Sequence, residues 1–190
     1  AFSVCVGEKS HPLIKAAEDA VNKFIQEIRP GKTIEEMSAL VEEVVLSHGV
    51  NPVRNLAGHS IEQYLVHGNI SIPPTKITNK QQIKEGTALG FEVFTTNGEG
   101  WVKESSPTLI YMLLYPKPVR LRESRIILEK IVNEYKTFPF AKRWLKDVTS
   151  PLRLQLALRE LVNSGTIKEY PPLREKSNAI TAQAEETVLV

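Results

Sequence analysis

Two histidines, His59 and His67, lie in one short, loop-like stretch of this 190-residue sequence, and the chain has only four histidines in all. Histidine ligates metal ions and moves protons near neutral pH, so two of them in one segment point towards chemistry in a cleft. A histidine that follows a glycine is, taken alone, as well explained as a surface turn residue. The pair is more informative, because both members flank extended segments and could face one cleft from two edges.

Two carboxylates lie inside strand-like apolar runs, where an unpaired charge is costly. In the run A-L-G-F-E-V-F-T-T, alternation places Leu89, Phe91 and Val93 on one face and Glu92 on the other. In the run A-Q-A-E-E-T-V-L-V, Glu185 precedes a second glutamate that must point to the opposite face. With the first histidine these carboxylates predict part of a metal site, or else a glycosidase-like acid/base pair, and spacing alone does not decide between them.

The composition is that of an ordinary globular protein, with 42% hydrophobic and 24% charged residues. A net charge of +2 indicates no general affinity for nucleic acid or membranes. The single cysteine, Cys5, excludes an internal disulfide framework and fits a reducing compartment. No apolar run approaches the roughly 20 residues that cross a bilayer, and no signal peptide is visible, so we expect a cytoplasmic protein with no membrane contact.

The first residues predict a strand that is already under way. The chain opens at Ala1, without a starting Met, in A-F-S-V-C-V-G, which alternates apolar and small residues. We therefore expect a fragment that is truncated at its N-terminus, or a piece that is completed by another segment.

Two amphipathic helices are predicted next. Ser10 is the expected N-cap of the first, with Pro12 in its first turn. Thr33 and Glu36 predict a capping box for the second, which Gly49 ends. The expected buried stripe of the first helix is Ile14, Ala17, Val21, Phe24 and Ile28, and that of the second is Met37, Leu40, Val41, Val44 and Val45.

Strands and a helical insert follow. The longest strands are predicted at Thr87–Thr96 and from about Ala179 to Val190. Between them, residues 123–164 are predicted to be helical in pieces separated by prolines, and Gly165 opens a short hairpin. Three short helices with a hairpin are typical of a winged-helix module.

The stretch Lys117–Lys146 contains nine Lys or Arg and three Glu. Such a stretch could bind RNA or the surface of the ribosome. A solvated helical face, whose long side chains cover apolar surface, is the more economical interpretation.

Several longer segments together resemble one known family. They are N-L-A-G-H-S-I-E-Q-Y-L-V-H at 55–67, G-N-I-S-I-P at 68–73, F-E-V-F-T-T at 91–96, P-T-L-I-Y-M at 107–112, T-F-P-F-A-K-R-W-L at 137–145, Y-P-P-L at 170–173 and A-Q-A-E-E-T at 182–187. In this order, and with an insert of about 60 residues between Thr108 and Leu173, the chain resembles the C-terminal two thirds of type 2 methionine aminopeptidases, most closely the archaeal kind. The insert is what distinguishes type 2 from type 1 members.

The resemblance implies an α+β fold of the pita-bread (creatinase/aminopeptidase) type, N-terminally truncated here. The pita-bread catalytic domain, incomplete, would comprise residues 1–107 and 174–190. Residues 108–173 would form the winged-helix-like helical insert.

The resemblance also implies a function, the removal of the initiator methionine from nascent proteins by a cytoplasmic metalloprotease. Two divalent metal ions (Co, Mn, Fe or Zn) would serve as cofactors, and the substrate would be an N-terminal Met-peptide. By position, His59, Glu92 and Glu185 match metal ligands, and Glu92 and His67 match catalytic residues. His67 and Tyr170 would contact substrate, Tyr170 as part of the methionine pocket. The full-length form is expected to be a monomer.

The chain departs from the family pattern in ways that affect activity. The two aspartate ligands of the family lie upstream of Ala1, so the chain supplies only three of the expected ligands. Ala184 stands where the family usually has Phe, and Glu186 where it has His. We therefore expect the isolated fragment to be inactive.

Two other functions compete with this one. A catalytically inactive pita-bread protein could contact RNA or the ribosome through its basic insert, but the retained ligand types argue against it. A related metallopeptidase could cleave proline dipeptides, but the insert and the Y-P-P-L segment argue against that.

Overall fold

The computed structural model describes residues 1–7 and 11–190 and divides into two compact units. The sheet unit comprises Ala1–Lys103 and Arg174–Val190, and the insert unit comprises Glu104–Leu173. The helices are α1 (Pro12–Glu27), α2 (Ile34–Ser47), α3 (Arg122–Lys130) and α4 (Pro151–Asn163). The strands are β1 (Asn51–Pro52), β2 (Gly58–Ser60), β3 (Ser71–Ile72), β4 (Ala88–Thr96), β5 (Val102–Glu104), β6 (Ile110–Leu113), β7 (Phe140–Ala141), β8 (Ile167–Tyr170), β9 (Leu173–Glu175) and β10 (Thr181–Leu189). None of the helices in the described part of the chain is long and apolar enough to cross a bilayer.

The two helices of the sheet unit begin with side-chain caps. The capping box of α2 is confirmed: Glu36 N donates to Thr33 Oγ1 at 3.2 Å, and Thr33 N donates to Glu36 Oε2 at 2.8 Å. At α1 the N-cap is His11, whose Nδ1 accepts from Leu13 N at 3.3 Å. The predicted cap, Ser10, lies outside the described residues.

The buried face of α1 is displaced from the predicted stripe. Ile14 is only partly buried, whereas Leu13, Ala16 and Ala20 are fully buried beside the expected Ala17, Val21 and Phe24. The prediction was wrong for Ile14 because it followed the larger apolar side chains. The alanines let the helix approach α2 and the sheet closely, so the small residues mark the contact face.

β4 is the central strand of an antiparallel sheet. It pairs with β10 along nine residue pairs and also with β1 and β2, and β2 pairs in turn with β3. Leu89, Phe91 and Val93 point into the core beneath α1 and α2, as alternation predicted. Phe24 stacks on Phe91 with ring centroids 3.5 Å apart. The opposite face of β4 is therefore the face that carries Glu92.

The first seven residues do not form the predicted strand. Phe2 makes an isolated bridge to Ala184, and the Ser3 hydroxyl exchanges hydrogen bonds with the backbone of Gln183, donating to O at 3.0 Å and accepting from N at 2.8 Å. A serine side chain thus takes the place of main-chain partners, which interrupts the ladder beside β10. The segment follows β10 without continuous pairing.

The insert unit has its own sheet and core. Its antiparallel sheet has the order β7-β6-β8, and α3 and α4 pack together. The residues predicted to be helical also contain a π-helical turn at Ile131–Tyr135 and a 3₁₀ turn at Lys142–Leu145, with β7 between them. The predicted hairpin after Gly165 is wrong in its pairing, because β8 pairs with β6 over Ile110–Leu113. This register buries Ile167 with Leu113, which a local hairpin would leave without a partner.

Candidate metal and substrate site

The register of three strands brings the predicted ligands onto one face of the sheet. Glu185 on β10 lies directly opposite Glu92 on β4, and His59 on β2 lies opposite Gly90. Gly90 and Glu92 are two residues apart on β4, so they share a face. His59, Glu92 and Glu185 therefore form a polar patch across three neighbouring strands, the ligand patch.

The two carboxylates of the ligand patch are held by a glutamine that sequence reasoning missed. Gln183 Nε2 donates to Glu92 Oε2 at 2.9 Å and lies 3.5 Å from Glu185 Oε2. Gln183 is two residues before Glu185 on β10, so strand alternation was the signal that could have placed it on this face.

Glu92 occupies an environment that disfavours its charge. Its burial, and next the neighbouring Glu185 carboxylate, raise the pKa of Glu92 to about 7, against the opposing effect of the Gln183 hydrogen bond. Two adjacent carboxylates on a partly buried surface are stabilised by a shared cation. The donor set of the patch, two carboxylates and an imidazole, is one that first-row divalent metals accept.

The ligand patch fits a metal by its chemistry, but its side chains do not converge on one point. Among residues 1–7 and 11–190, no group of three or more His, Cys, Asp or Glu is placed closely enough to hold a metal ion. The strand register places His59, Glu92 and Glu185 on the same face of the sheet. Closer approach of the ligating atoms would require rotation of the side chains.

His67 lies beside His59, as the sequence predicted for the pair. Their ring centroids are 4.4 Å apart, with the rings tilted by 55°. The loop between β2 and β3 is fastened to Ser60: Gly68 N donates to Ser60 O at 2.7 Å, and Ile70 N donates to Ser60 Oγ at 3.1 Å. These bonds fix the loop directly after His67.

Two glycines lie close to the side chains and backbone of this arrangement, and Gly68 is the one that an added side chain would disturb most. A Cβ at Gly68 would lie 2.3 Å from Ser60 Oγ and 2.9 Å from Ser60 O, so a side chain would push the loop away. A Cβ at Gly90 would lie 3.3 Å from His59 Cε1. The imidazole of His59 therefore lies close against β4 at residue 90, where an added methyl group would require a shift of a few tenths of an ångström.

Tyr170, the predicted pocket residue, belongs to the insert unit. It lies on β8 opposite Ile110, and its hydroxyl donates to Met112 Sδ at 3.4 Å. The role of Tyr170 in binding substrate stays a prediction.

Glu175, a carboxylate that the sequence analysis did not single out, organises two loops of the sheet unit. Glu175 is 2% exposed and accepts from Glu99 N at 2.8 Å and Ser177 N at 2.6 Å, with Ala179 N at 3.2 Å. The Ser177 hydroxyl also donates to it. These hydrogen bonds, that of the Ser177 side chain first, lower the pKa of Glu175 to about 2.

The sequence profile of the metallopeptidase family M24 matches residues 1–190, the whole chain. The chain belongs to metallopeptidase family M24. Membership of this M24 family implies the use of a divalent metal, in agreement with the donor set of the ligand patch.

Individual M24 relatives are consistent with the family resemblance drawn from the sequence. A methionine aminopeptidase from Methanothermobacter thermautotrophicus is 42% identical over 185 residues, which cover 97% of this chain and 62% of the relative. One from Pyrococcus abyssi is 41% identical over 191 residues, covering 100% of this chain and 65% of the relative. The chain thus spans less than two thirds of the length of these relatives.

Solved structures support the pita-bread fold of the M24 family. The structure of a thermophilic Arx1 aligns with a TM-score of 0.80 at 17% identity, over 98% of this chain and 58% of that one. The methionine aminopeptidase of Thermotoga maritima aligns with a TM-score of 0.50 at 24% identity, over 55% of this chain and 43% of that one. The expected α+β fold of the pita-bread type is confirmed.

Proposed function

We propose that this chain carries the C-terminal part of a methionine aminopeptidase active site, which removes the initiator methionine from nascent proteins in the cytoplasm. The observation that carries the proposal is the strand register that sets Glu185 opposite Glu92 and His59 on the same face. The similarity to archaeal methionine aminopeptidases over the whole chain supports the choice of substrate.

His59, Glu92 and Glu185 would hold the metal. The number of ions is proposed to be two, and their identity Co, Mn, Fe or Zn. When bound, divalent metal would activate a water molecule and polarise the scissile carbonyl.

Glu92 is proposed to act on the proton of the attacking water. Gln183 engages Oε2 of Glu92, which leaves Oε1 as the atom that accepts this proton and later returns it to the leaving amine. Glu92 is half-buried on the central strand, directly opposite Glu185 on β10.

His67 is proposed to donate a hydrogen bond to the carbonyl oxygen of the scissile peptide. Its ring lies beside that of His59, on a loop fixed by Gly68 and Ser60, so it is preorganised next to the ligand patch. Tyr170 is proposed to line the methionine pocket.

We further propose that the insert unit is the winged-helix-like insert of residues 108–173. The complete protein is proposed to be a monomer.

The test is methionine release from the peptide Met-Ala-Ser by the complete gene product that contains these 190 residues, with Co²⁺ or Mn²⁺ supplied. We expect activity that a chelator abolishes. His67→Ala should lower kcat by about 10²-fold or more, since a well-placed donor or proton carrier contributes about that much. Glu92→Gln should abolish turnover, because it removes both a ligand and the proton acceptor.

Glu85→Gln is the matched control for these variants, since Glu85 is an exposed carboxylate in the turn before β4 and is not part of the ligand patch. It should retain activity within about twofold. Metal-dependent release that survives Glu92→Gln would contradict the assignment of the site. Absence of release by the complete, metal-loaded protein would contradict the proposed function.

A further inference from the structure

The insert unit has an open groove along the first turns of α4 that plays no part in the proposed peptidase chemistry. This α4 groove is lined by Leu109, Pro151 and Leu152 and by Lys142, Arg143 and Lys146, and has a volume of about 560 Å³. Pockets for small molecules and cofactors span roughly 300–1,000 Å³. The groove is therefore large enough for a few side chains.

The apolar part of the α4 groove is open to solvent. Leu152 is 68% exposed and Leu109 is 53% exposed, although the insert unit has a complete core of its own. Large apolar side chains that are exposed next to one another mark interaction surfaces more often than isolated ones do. Burying these two leucines against a partner would remove them from water without disturbing the core.

The charged part of the α4 groove is uniformly positive. Lys142 and Arg143 come from the 3₁₀ turn and Lys146 follows it, and no acidic residue lines the groove. Within the part of the chain that the structure describes, none of the three cations makes an ion pair. Other cations of the insert unit are paired, such as Lys130 with Glu134.

We propose that the α4 groove binds a segment of a partner protein that is acidic and amphipathic. Its large apolar side chains would pack on Leu109 and Leu152, and its Asp or Glu side chains would face Lys142, Arg143 and Lys146. Charge complementarity selects the sign of the partner, and the apolar floor selects a segment with hydrophobic side chains. The proposal rests on the insert unit alone and does not depend on the peptidase chemistry.

The composition of the groove favours a peptide over single-stranded nucleic acid. Nucleic-acid channels combine cations with aromatic side chains on which bases stack. The α4 groove is lined by leucine, proline and aliphatic stems, with no aromatic residue. RNA binding would depend on the cations and not on the leucines.

The test is fluorescence anisotropy of the full chain with a labelled peptide built of Glu-Glu-Leu-Leu repeats. Two control peptides carry Lys in place of Glu, or Ser in place of Leu. We expect saturable binding of the acidic amphipathic peptide with Kd of about 10–100 μM at low salt, and at least about tenfold weaker binding of each control. Added salt should weaken the binding.

Two groove variants and two controls assign the site. Leu152→Ser and Lys146→Glu should each weaken binding about five- to tenfold, since one removes apolar contact and the other reverses a charge. Leu121→Ser is the apolar control, 42% exposed and outside the groove, and Lys84→Glu is the charge control on the sheet unit. Both should bind as the unaltered chain does, and thermal unfolding checks that all four variants fold.

Several outcomes would overturn the proposal. They are equal binding of the basic peptide, no saturable binding at about 1 mM acidic peptide, and binding that Leu152→Ser leaves unchanged. A single-stranded RNA could also displace the labelled peptide. If Lys146→Glu weakens the binding of that RNA and Leu152→Ser does not, the surface would be assigned to nucleic acid instead.

Discussion

The ligand patch of the sheet unit and the α4 groove of the insert unit place charge in opposite ways. In the ligand patch, Glu92 and Glu185 are partly buried, face each other and share the amide of Gln183. In the α4 groove, Lys146 and its neighbouring cations are solvated beside exposed leucines. Charges held together on a rigid sheet can bind an ion and move protons, whereas solvated charges beside apolar surface suit a docking segment.

The two units also differ in how their helices begin. The side chains of His11 and Thr33 cap the N-termini of α1 and α2. The N-cap residues of α3 and α4, Leu121 and Ser150, make no side-chain hydrogen bond to their helices. The helices of the sheet unit are thus specified locally as well as by packing. The helices of the insert unit depend more on the shared core.

The largest expected loss of stability comes from removing one buried ring in each unit, which tests whether each unit depends on its own hydrophobic core. Phe91→Ala in the sheet unit and Phe140→Ala in the insert unit each remove a fully buried ring, and each should cost about 3–5 kcal/mol of unfolding free energy. Denaturant unfolding, followed by amide exchange, should show that each variant loosens its own unit first. Leu189→Ala, at an exposed position on β10, is the control and should cost less than about 0.5 kcal/mol.

Equal loosening of both units by either substitution would contradict the comparison. It would indicate one cooperative core instead of two.

The next effect concerns the loop that carries His67. Gly68→Ala should cost about 1–3 kcal/mol, because its Cβ would overlap the backbone and hydroxyl of Ser60. It should also change the environment of the His67 ring, which histidine NMR resonances report. Gly86→Ala is the control: it has a positive φ of 78° but open space around it, so only the backbone strain of about 1 kcal/mol applies. A destabilisation by Gly68→Ala no greater than that by Gly86→Ala would mean that Ser60 moves aside for the added methyl group without cost.

A smaller effect should appear as pH dependence. The folded pKa of Glu175 is about 2, below its usual value of 4.5, so the unfolded chain binds more protons between these values. The stability that Glu175 contributes is therefore complete above about pH 4.5 and is lost as pH falls towards 2. Glu175→Gln should remove this part of the acid dependence, measured as denaturant midpoints from pH 2 to 6.

Glu186→Gln serves as the control for the acid dependence, since it removes an exposed carboxylate from β10. It should leave the slope between pH 2 and 4.5 in place. An unchanged slope in Glu175→Gln would mean that the loop contacts of Glu175 do not persist in solution.

The smallest effect compares the helix caps of the two units. Thr33→Ala removes both bonds of the hydroxyl in the capping box and should cost about 1 kcal/mol, whereas Thr33→Ser should retain most of it. Ser150→Ala at α4 should change stability by less than about 0.5 kcal/mol, because its side chain makes no cap bond. Equal costs for Thr33→Ala and Ser150→Ala, measured by denaturant unfolding, would remove the distinction between the units.

Local pattern was sufficient for some features and misleading for others. Alternation along β4 placed Glu92 opposite the core, and the spacing of Thr33 and Glu36 predicted a capping box. The same kind of reasoning mistook Ala1–Gly7 for a strand, because side-chain bonds from Ser3 replace the ladder. It also mispaired β8, whose partner lies more than 50 residues away in sequence.

The sequence by itself determined the family, the face of each strand and the identities of the candidate ligands, because these depend on residue type and on a period of two along a strand. Only the tertiary structure decided that Glu185 lies opposite Glu92, that Gln183 links them and that the His59 ring lies against Gly90. Those facts depend on register between strands distant in sequence and on steric space of a few ångströms, neither of which a single chain pattern encodes. The α4 groove likewise exists only once Leu109 and Leu152, 43 positions apart, line the same surface.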